Sequence, residues 1–374
     1  MRITLEKNAK NVELFKNMAN TKNAAKCIEA REAFAALAGP VVQTIINQAP
    51  VISNLYRQFT YGEGEMPFLT LDAFFDVKEK NYIKVWAQQE AGGLASSAPS
   101  PISKLPVMTY ELVSAVWFYL EQLRVANIDQ VAKTLERMGA EVLVQQEVHA
   151  VNPLSMAIAQ SQYNKGGTMT YQVIRSNTNN QVVPADYYKM MTLMSRVNSS
   201  WVGGTPESNV RAITHFVGSP EFLEQVRLMA FEPVNTVLRT TYPLAGPEAV
   251  RDEIYRSAGA PMFAGIEIIP VYEMGKGQPY NTIFSNYAGA INYPGFGGSG
   301  TAAFAPTTEQ IVFGIDARQD FLVQLAQSDA DTGATFNVML DDQFIRRTEK
   351  IGYSGKIREG RVVLDARNCV GLIF

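Results

Sequence analysis

Apolar residues recur at helical spacing through Asp129–Asn152, DQVAKTLERMGAEVLVQQEVHAVN, where Val131, Leu135, Met138 and Val142 form one stripe. Asp129 can accept from the free N–H groups of a first turn, and Pro153 lacks the N–H that would continue a helix. The spacing therefore predicts one helix between them, about 35 Å long at about 1.5 Å per residue. Past Gly139 the apolar positions Val144, Val148 and Val151 move to the opposite side, so the two ends must pack against different things.

Residues 1–21 are rich in Asn and Lys with few apolar anchors and read as an arm that is ordered against a neighbour. Ala24–Leu37 reads as a helix stopped by Gly39-Pro40, and Val41–Asn47 as a second helical piece. From Met66 the period changes. PFLTLDAFFDV and YIKVWAQQ carry β-branched and aromatic residues, and Tyr82, Lys84 and Trp86 alternate with Ile83, Val85 and Ala87. Glu90–Pro101, EAGGLASSAPSP, has no side chains able to build a core, so the simplest element is a long hairpin with a loose tip.

The apolar run MTYELVSAVWFYLEQLRV then reads as a strand feeding the long helix, and KGGTMTYQVIRSNTNNQ as a polar passage after it. From Pro184 helices and strands alternate. PADYYKMMTLMSRV opens on Pro184, EFLEQVRLM on Ser219-Pro220 and EAVRDEIYRSA on Gly246-Pro247, with strands expected at NVRAITHFV, GIEIIPVYEM and EQIVFGIDA. Residues 184–330 thus read as a mixed α/β domain. The remainder is mainly strand, with a turn expected at Glu359-Gly360 and the terminal GLIF tucked into a sheet.

Composition narrows the function classes. A chain of 374 residues, 47% hydrophobic and 18% charged, has material for two domains and a large core. A net charge of −3 opposes tight wrapping of nucleic acid, which needs clustered Lys and Arg to neutralise phosphates. Cys27 and Cys369 make no metal-ligand spacing and point to a reduced compartment. The N-terminal MRITLEKNAKNVELFK has no apolar signal segment, and no run of eighteen apolar residues occurs, so the expectation is a product made in the cytoplasm and not inserted in a membrane.

The candidate chemistry is thin. Gly295-Phe296-Gly297-Gly298-Ser299-Gly300 has the letters of a dinucleotide fingerprint, but Tyr293-Pro294 precedes it and TAAFAPTT follows where a strand and a helix are required, so it reads as a loop. Asp329 and Asp331 open like a calcium loop, yet the glycine comes one place early and Leu340 stands where a bidentate Glu is needed. His149 and His215 are the two histidines, neither with a partner at site spacing, and Asp341-Asp342 and Asp252-Glu253 are adjacent pairs of the solvated kind. We assign no catalytic, cofactor-binding or metal-ligating residue, and the chain leans towards a structural role.

The succession of parts resembles the major capsid protein of tailed bacteriophages, the Hong Kong 97-type fold. HFVGSPEFLEQVRLM is similar to the strand, Pro-opened turn and helix of that family's axial domain, SAGAPMFAGIEIIPVYEM to the helix-to-strand step after it, and KIREGRVVLDARNCVGLI to its closing hairpin. The resemblance implies an α+β fold with five parts: an N-terminal arm and helices (1–60), an extended β-hairpin loop (61–107), a peripheral domain with a long spine helix (108–183), a mixed α/β axial domain (184–330) and returning peripheral strands (331–374). It implies a subunit that self-assembles into hexamers and pentamers of an icosahedral virion shell around double-stranded DNA, built in the host cytoplasm. No cofactor and no membrane would be involved. Portal, scaffolding and decoration proteins would be its partners besides itself.

Trp86 and Leu94 on the hairpin are then the expected anchors against a neighbour. Some members cross-link a loop Lys to an Asn. Lys84, Lys104 and Asn368 are the residues that could do so, and cross-linking is not expected, since no assisting carboxylate is identifiable. Two other readings stay open: an encapsulin-like compartment shell, and a soluble α/β enzyme resting on the mixed domain and the Gly-rich loop.

Overall fold

The computed structural model describes residues 9–20, 23–48, 51–70, 104–125, 128–165, 168–176, 180–199, 212–231, 262–263, 265–294, 302–318, 321–329, 335–341 and 350–374. In chain order the elements begin with α1 (Ala9–Met18), α2 (Ala24–Gln48), β1 (Arg57–Tyr61), β2 (Phe68–Thr70), β3 (Lys104–Pro106), β4 (Tyr110–Tyr119), α3 (Leu120–Arg124) and α4 (Ile128–Gln160). There follow β5 (Gln162–Lys165), β6 (Thr168–Tyr171), β7 (Val173–Arg175), α5 (Pro184–Ser199), β8 (His215–Gly218), α6 (Pro220–Phe231), β9 (Met262–Phe263) and β10 (Ile266–Pro270). The last are α7 (Pro279–Ala288), β11 (Ile311–Ile315), β12 (Leu322–Gln327), β13 (Asn337–Asp341), β14 (Lys350–Val363) and β15 (Cys369–Ile373).

The chain divides into two compact units, the first made of residues 1–67, 108–150 and 323–362 and the second of 68–107, 151–322 and 363–374. The first unit holds a five-stranded sheet. Its path runs β1-β12-β14-β13, with β4 pairing β14 besides; β1 and β12 are parallel, while β14 is antiparallel to both β13 and β4. One face of this sheet is buried under helices. Phe15 and Met18 of α1, Phe34 and Val42 of α2, and Val131, Leu135, Met138 and Val142 of α4 form one core with Phe118, Ile351, Tyr353 and Ile357 of β4 and β14. Gly355 of β14 lets that core close, because a Cβ there would stand 2.3 Å from both Met138 Cε and Phe336 Cζ.

The second unit holds a six-stranded sheet, ordered β7-β15-β11-β8-β10-β9. Its central strands β11 and β15 are buried at every residue. On one face Val312, Val370 and Leu372 meet Tyr187, Met190 and Met194 of α5 and Phe222 and Val226 of α6. On the other, Phe313 lies 6.1 Å from the ring of Phe284 on α7, and Gly371 admits Ile158 from the end of α4, with 2.9 Å to a Cβ built there. Strands buried on both faces read as continuous apolar runs, as IVFGI and CVGLI do.

The stripe Val131, Leu135, Met138 and Val142 is buried as the spacing predicts, and Val151 is buried as well, whereas Val144 stays 52% exposed. Pro153 does not end the helix. α4 runs 33 residues, about 50 Å, with Asp129 in its first turn and Pro153 inside it. Proline in a helix interior costs about 3 kcal/mol; here the continuation buries Leu154, Ile158 and Ala159 completely, which outweighs that loss. The same holds for α2. Gly39-Pro40 does not split it into two pieces, and the helix continues because Ala38, Val42 and Ile46 lie on one buried face.

Three further expectations change. Residues 9–18 of the supposed arm form α1, whose Phe15 and Met18 enter the chain's own core instead of waiting for a neighbour. β14 runs straight through Glu359-Gly360, both buried, so no turn lies there. The polar passage after α4 contains a small antiparallel pair, β5 with β6, and then β7 on the edge of the six-stranded sheet. Other expectations hold. Ser219 Oγ accepts from Phe222 N at 3.2 Å to start α6, and the terminal GLIF is tucked into the sheet, with Gly371, Leu372 and Ile373 in β15 and Phe374 buried just after it. The Gly246-Pro247 helix, the 295–300 loop and the hairpin between β2 and β3 lie outside the described residues.

Candidate assembly surface and its buried charge support

Residues of β4 alternate. Leu112, Val116 and Phe118 face the core of the first unit, while Glu111, Val113, Ala115, Trp117 and Tyr119 are exposed. The ladder with β14 sets Lys350 beside Tyr119, Gly352 beside Trp117, Ser354 beside Ala115, Lys356 beside Val113 and Arg358 beside Glu111. β13 adds Met339 opposite Ser354. On the side away from the helices β4, β14 and β13 therefore carry a patch of Val113, Ala115, Trp117, Tyr119 and Met339, with Lys350, Lys356 and Arg358 among them, whereas β12 is buried on both sides. Val113 is 63% exposed and Trp117 and Tyr119 are 45% exposed each. Trp and Tyr are among the side chains that most often anchor contacts between proteins.

Local interactions hold the patch in shape. The Trp117 and Tyr119 rings meet edge to face at 4.9 Å, and Lys350 Nζ lies 3.8 Å above the Trp117 ring. Glu111 and Arg358 are 3.9 Å apart, a loose surface pair. Beside the patch, a groove of about 630 Å³ is lined by Glu63, Glu111, Asp329, Asn337, Lys356 and Arg358 among others. Asp329 accepts from Asn337 Nδ2 at 3.0 Å there; Asp331 lies outside the described residues. Among the described residues no cluster of three His, Cys, Asp or Glu could hold a metal ion.

Behind the patch the inward residues of β14 turn from apolar to charged. Glu359 is fully buried and accepts from Tyr110 OH at 2.9 Å, Gln146 Nε2 at 3.0 Å and Gln324 Nε2 at 2.6 Å. Arg361 Nε stands 3.4 Å from the same carboxylate, and Arg361 Nη1 donates to Ser53 Oγ at 2.7 Å. Glu147 on α4 accepts from the backbone N–H groups of Val51, Ile52 and Ser53 at 2.8–3.2 Å. Each buried charge thus meets either an opposite charge or several donors, which is the condition for burying it. Tyr110 has its phenol pushed far up by burial, then by the adjacent Glu359. His149 stacks on Tyr110 at 4.1 Å, and burial lowers its pKa, against the pull of Glu359.

Of the residues weighed from sequence, His149 and Asp329 lie at this place and the others described do not. Trp86, Leu94 and Lys84 lie outside the described residues. Lys104 sits 4.3 Å above the Phe68 ring, Asn368 is buried in a short 3-10 turn, and His215 faces Glu267 at 3.5 Å from a neighbouring strand. What sequence reasoning missed is Trp117, Tyr119 and the Glu359–Arg361 pair. The alternation Glu111, Val113, Ala115, Trp117, Tyr119 was available as a signal. The pair was hidden because Glu-Gly-Arg has the composition of a turn.

No family model and no curated protein matches the sequence. Solved structures do. The chain is similar to the capsid protein of an empty GTA particle, at 11% identity with 87% of this chain and 89% of that one covered and a TM-score of 0.50. It is similar in the same way to the capsid protein of the cyanophage P-SCSP1u, at 14% identity, 87% and 88% coverage and a TM-score of 0.50. The mature capsid of bacteriophage PhiM1 compares at 8% identity, 87% and 86% coverage and a TM-score of 0.50. The chain has the α+β fold of capsid subunits. More narrowly, it is the fold found in these phage capsid structures, as the succession of elements led one to expect.

Proposed function

We propose that this chain is the major shell subunit of a tailed phage, self-assembling into hexamers and pentamers of an icosahedral capsid that encloses double-stranded DNA. The observation that carries the reading is a fold shared with phage capsid subunits over 87% of the chain. The open, aromatic face of the five-stranded sheet supports it, being a surface that other copies can cover. The net charge of −3 suits a wall that holds DNA without gripping it, because tight phosphate contacts would oppose packing and release.

On this reading α4 is the spine of a peripheral region, residues 184–330 are an axial domain, and 61–107 are an extended loop lying over a neighbour. Portal, scaffolding and decoration proteins are its further partners, and the virion is its final location. The role is structural, not catalytic. Electron micrographs of the purified chain test it: closed shells are expected, and small discrete oligomers at every concentration tried would end the reading. Shells that copurify with a protein cargo in place of DNA would identify a storage compartment instead.

A further inference from the structure

The ten residues of β4 carry no Pro, Lys or Arg, and the pairing with β14 keeps one unbroken register from Tyr110↔Glu359 to Tyr119↔Lys350, without a bulge. Pro, Lys and bulges are the usual means by which an edge strand is guarded against pairing. Among the described residues β14 is the only strand that β4 pairs with. In an antiparallel ladder alternate residues turn both backbone groups away from the partner, so the far edge of β4 offers a row of donors and acceptors. An edge of this length that is regular and apolar is a template for one more strand.

We propose that the added strand is β4 of a second copy, the two related by a two-fold axis through Ala115; this rests on the reading of the chain as a self-assembling subunit and names one of its contacts. In that antiparallel register Val113 of each copy stands opposite Trp117 of the other, and Glu111 opposite Tyr119. Every exposed residue of β4 is then used. Ala115 meets its own copy at the axis, where a large side chain would clash with itself, and the two Val–Trp pairs flank it as favourable cross-strand neighbours. A shift by one residue would set core-facing residues against solvent-facing ones.

The charges also agree. Lys350 lies beside Tyr119 on β14, so the incoming Glu111 arrives one strand away from an ammonium group that now rests on Trp117. Glu111 is free to turn to it, since its own partner Arg358 is 3.9 Å away on an exposed surface. On the core side Leu112 comes opposite Phe118 and Ser114 opposite Val116, which continues the apolar layer across the axis. The contact is self-complementary, as a two-fold interface must be.

The test is a disulfide at the axis. Cα atoms facing each other in an antiparallel pair are about 4.5–5.5 Å apart, within reach of a disulfide. Both native cysteines are buried, so an introduced thiol reports alone. Ala115→Cys is expected to give a linked dimer under mild oxidation, while Val113→Cys, whose partner is Trp117, gives at least ten-fold less. Equal linking at both positions, or none for Ala115→Cys, would overturn the proposal. Ala115→Lys, which puts two like charges on the axis, should abolish dimers in sedimentation while the circular dichroism melt stays unchanged; persistent dimers would overturn it too. Shells that form from the Ala115→Cys chain without any link remove this contact and leave the capsid reading standing. A link in an Ala115→Cys chain that never builds shells supports the contact and removes that reading.

Discussion

In the six-stranded sheet every residue of β11 and β15 is buried, whereas in the five-stranded sheet alternate residues of β4 stand in solvent. The first has helices on both faces and an aromatic core, in which Phe216, Phe222, Phe263 and Tyr187 touch ring to ring, with Tyr187 and Phe263 stacked at 4.3 Å. The second has helices on one face and a buried ionic centre, Glu359 with Arg361, held by Gln146, Gln324, Tyr110 and Ser53. A sheet whose central strands are covered on both sides leaves no open face there. A sheet covered on one side keeps a face and an edge, and its apolar residues there gain from burial only when another molecule arrives.

The ionic centre is where the comparison breaks most easily. Glu359→Ala leaves the Arg361 guanidinium buried without its carboxylate, and a buried pair broken from one side loses about 3–5 kcal/mol. A urea titration should show the first unit melting early while the second keeps its midpoint, and a single unchanged transition would refute the assignment. Gly355→Ala comes next. Its Cβ would stand 2.3 Å from Phe336 and Met138, against 2.9 Å or more for Gly314→Ala in the six-stranded sheet. Overpacking costs about 1–3 kcal/mol, and Gly355→Ala should exceed Gly314→Ala in thermal melts; the reverse order would contradict the packing described.

Acid sharpens the comparison further. Burial lowers the folded-state pKa of His149, so the folded chain binds that proton less readily than the unfolded chain. The stability it contributes is complete above the unfolded value near 6.5 and is lost as pH falls through that value towards the lower folded one. Protection factors at Tyr110 and along the adjoining part of α4, taken relative to the intrinsic exchange rate at each pH, should therefore fall below about pH 6.5, beyond any change in β11 or β15, and His149→Phe should flatten this dependence. The smallest effect on folding is expected from Trp117→Ala, a solvent-facing change within about 0.5 kcal/mol. Its effect on assembly should be large. Shell yield in micrographs that matches the unaltered chain would deprive the open face of its role.

Much of this is legible along the chain, and three of the misses share one cause. The stripe of α4, the Ser219-Pro220 start of α6 and the runs IVFGI and CVGLI are local patterns, and a period of 3.6 or a continuous apolar run states which side faces inward. Pro40, Pro153 and Glu359-Gly360 are each a local stop signal that distant packing overrules. The helices continue past proline since Val42, Ile46, Leu154 and Ile158 find buried places beyond it, and β14 continues past Glu359-Gly360 since Gln146, Gln324 and Tyr110 satisfy the carboxylate.

The same division applies to the contact surface. Alternation in YELVSAVWFY already separates Glu111, Val113, Ala115, Trp117 and Tyr119 from Leu112, Val116 and Phe118, because successive side chains on a strand leave on opposite sides. Which of the two sets would be covered, and that β4 would be left with one edge unpaired among the described residues, depended on where α1, α2, α4 and β14 settled. Those are contacts between residues hundreds of positions apart, such as Tyr110 with Glu359. Local periodicity carries the direction of a side chain, and only the folded arrangement determines what, if anything, waits on the other side.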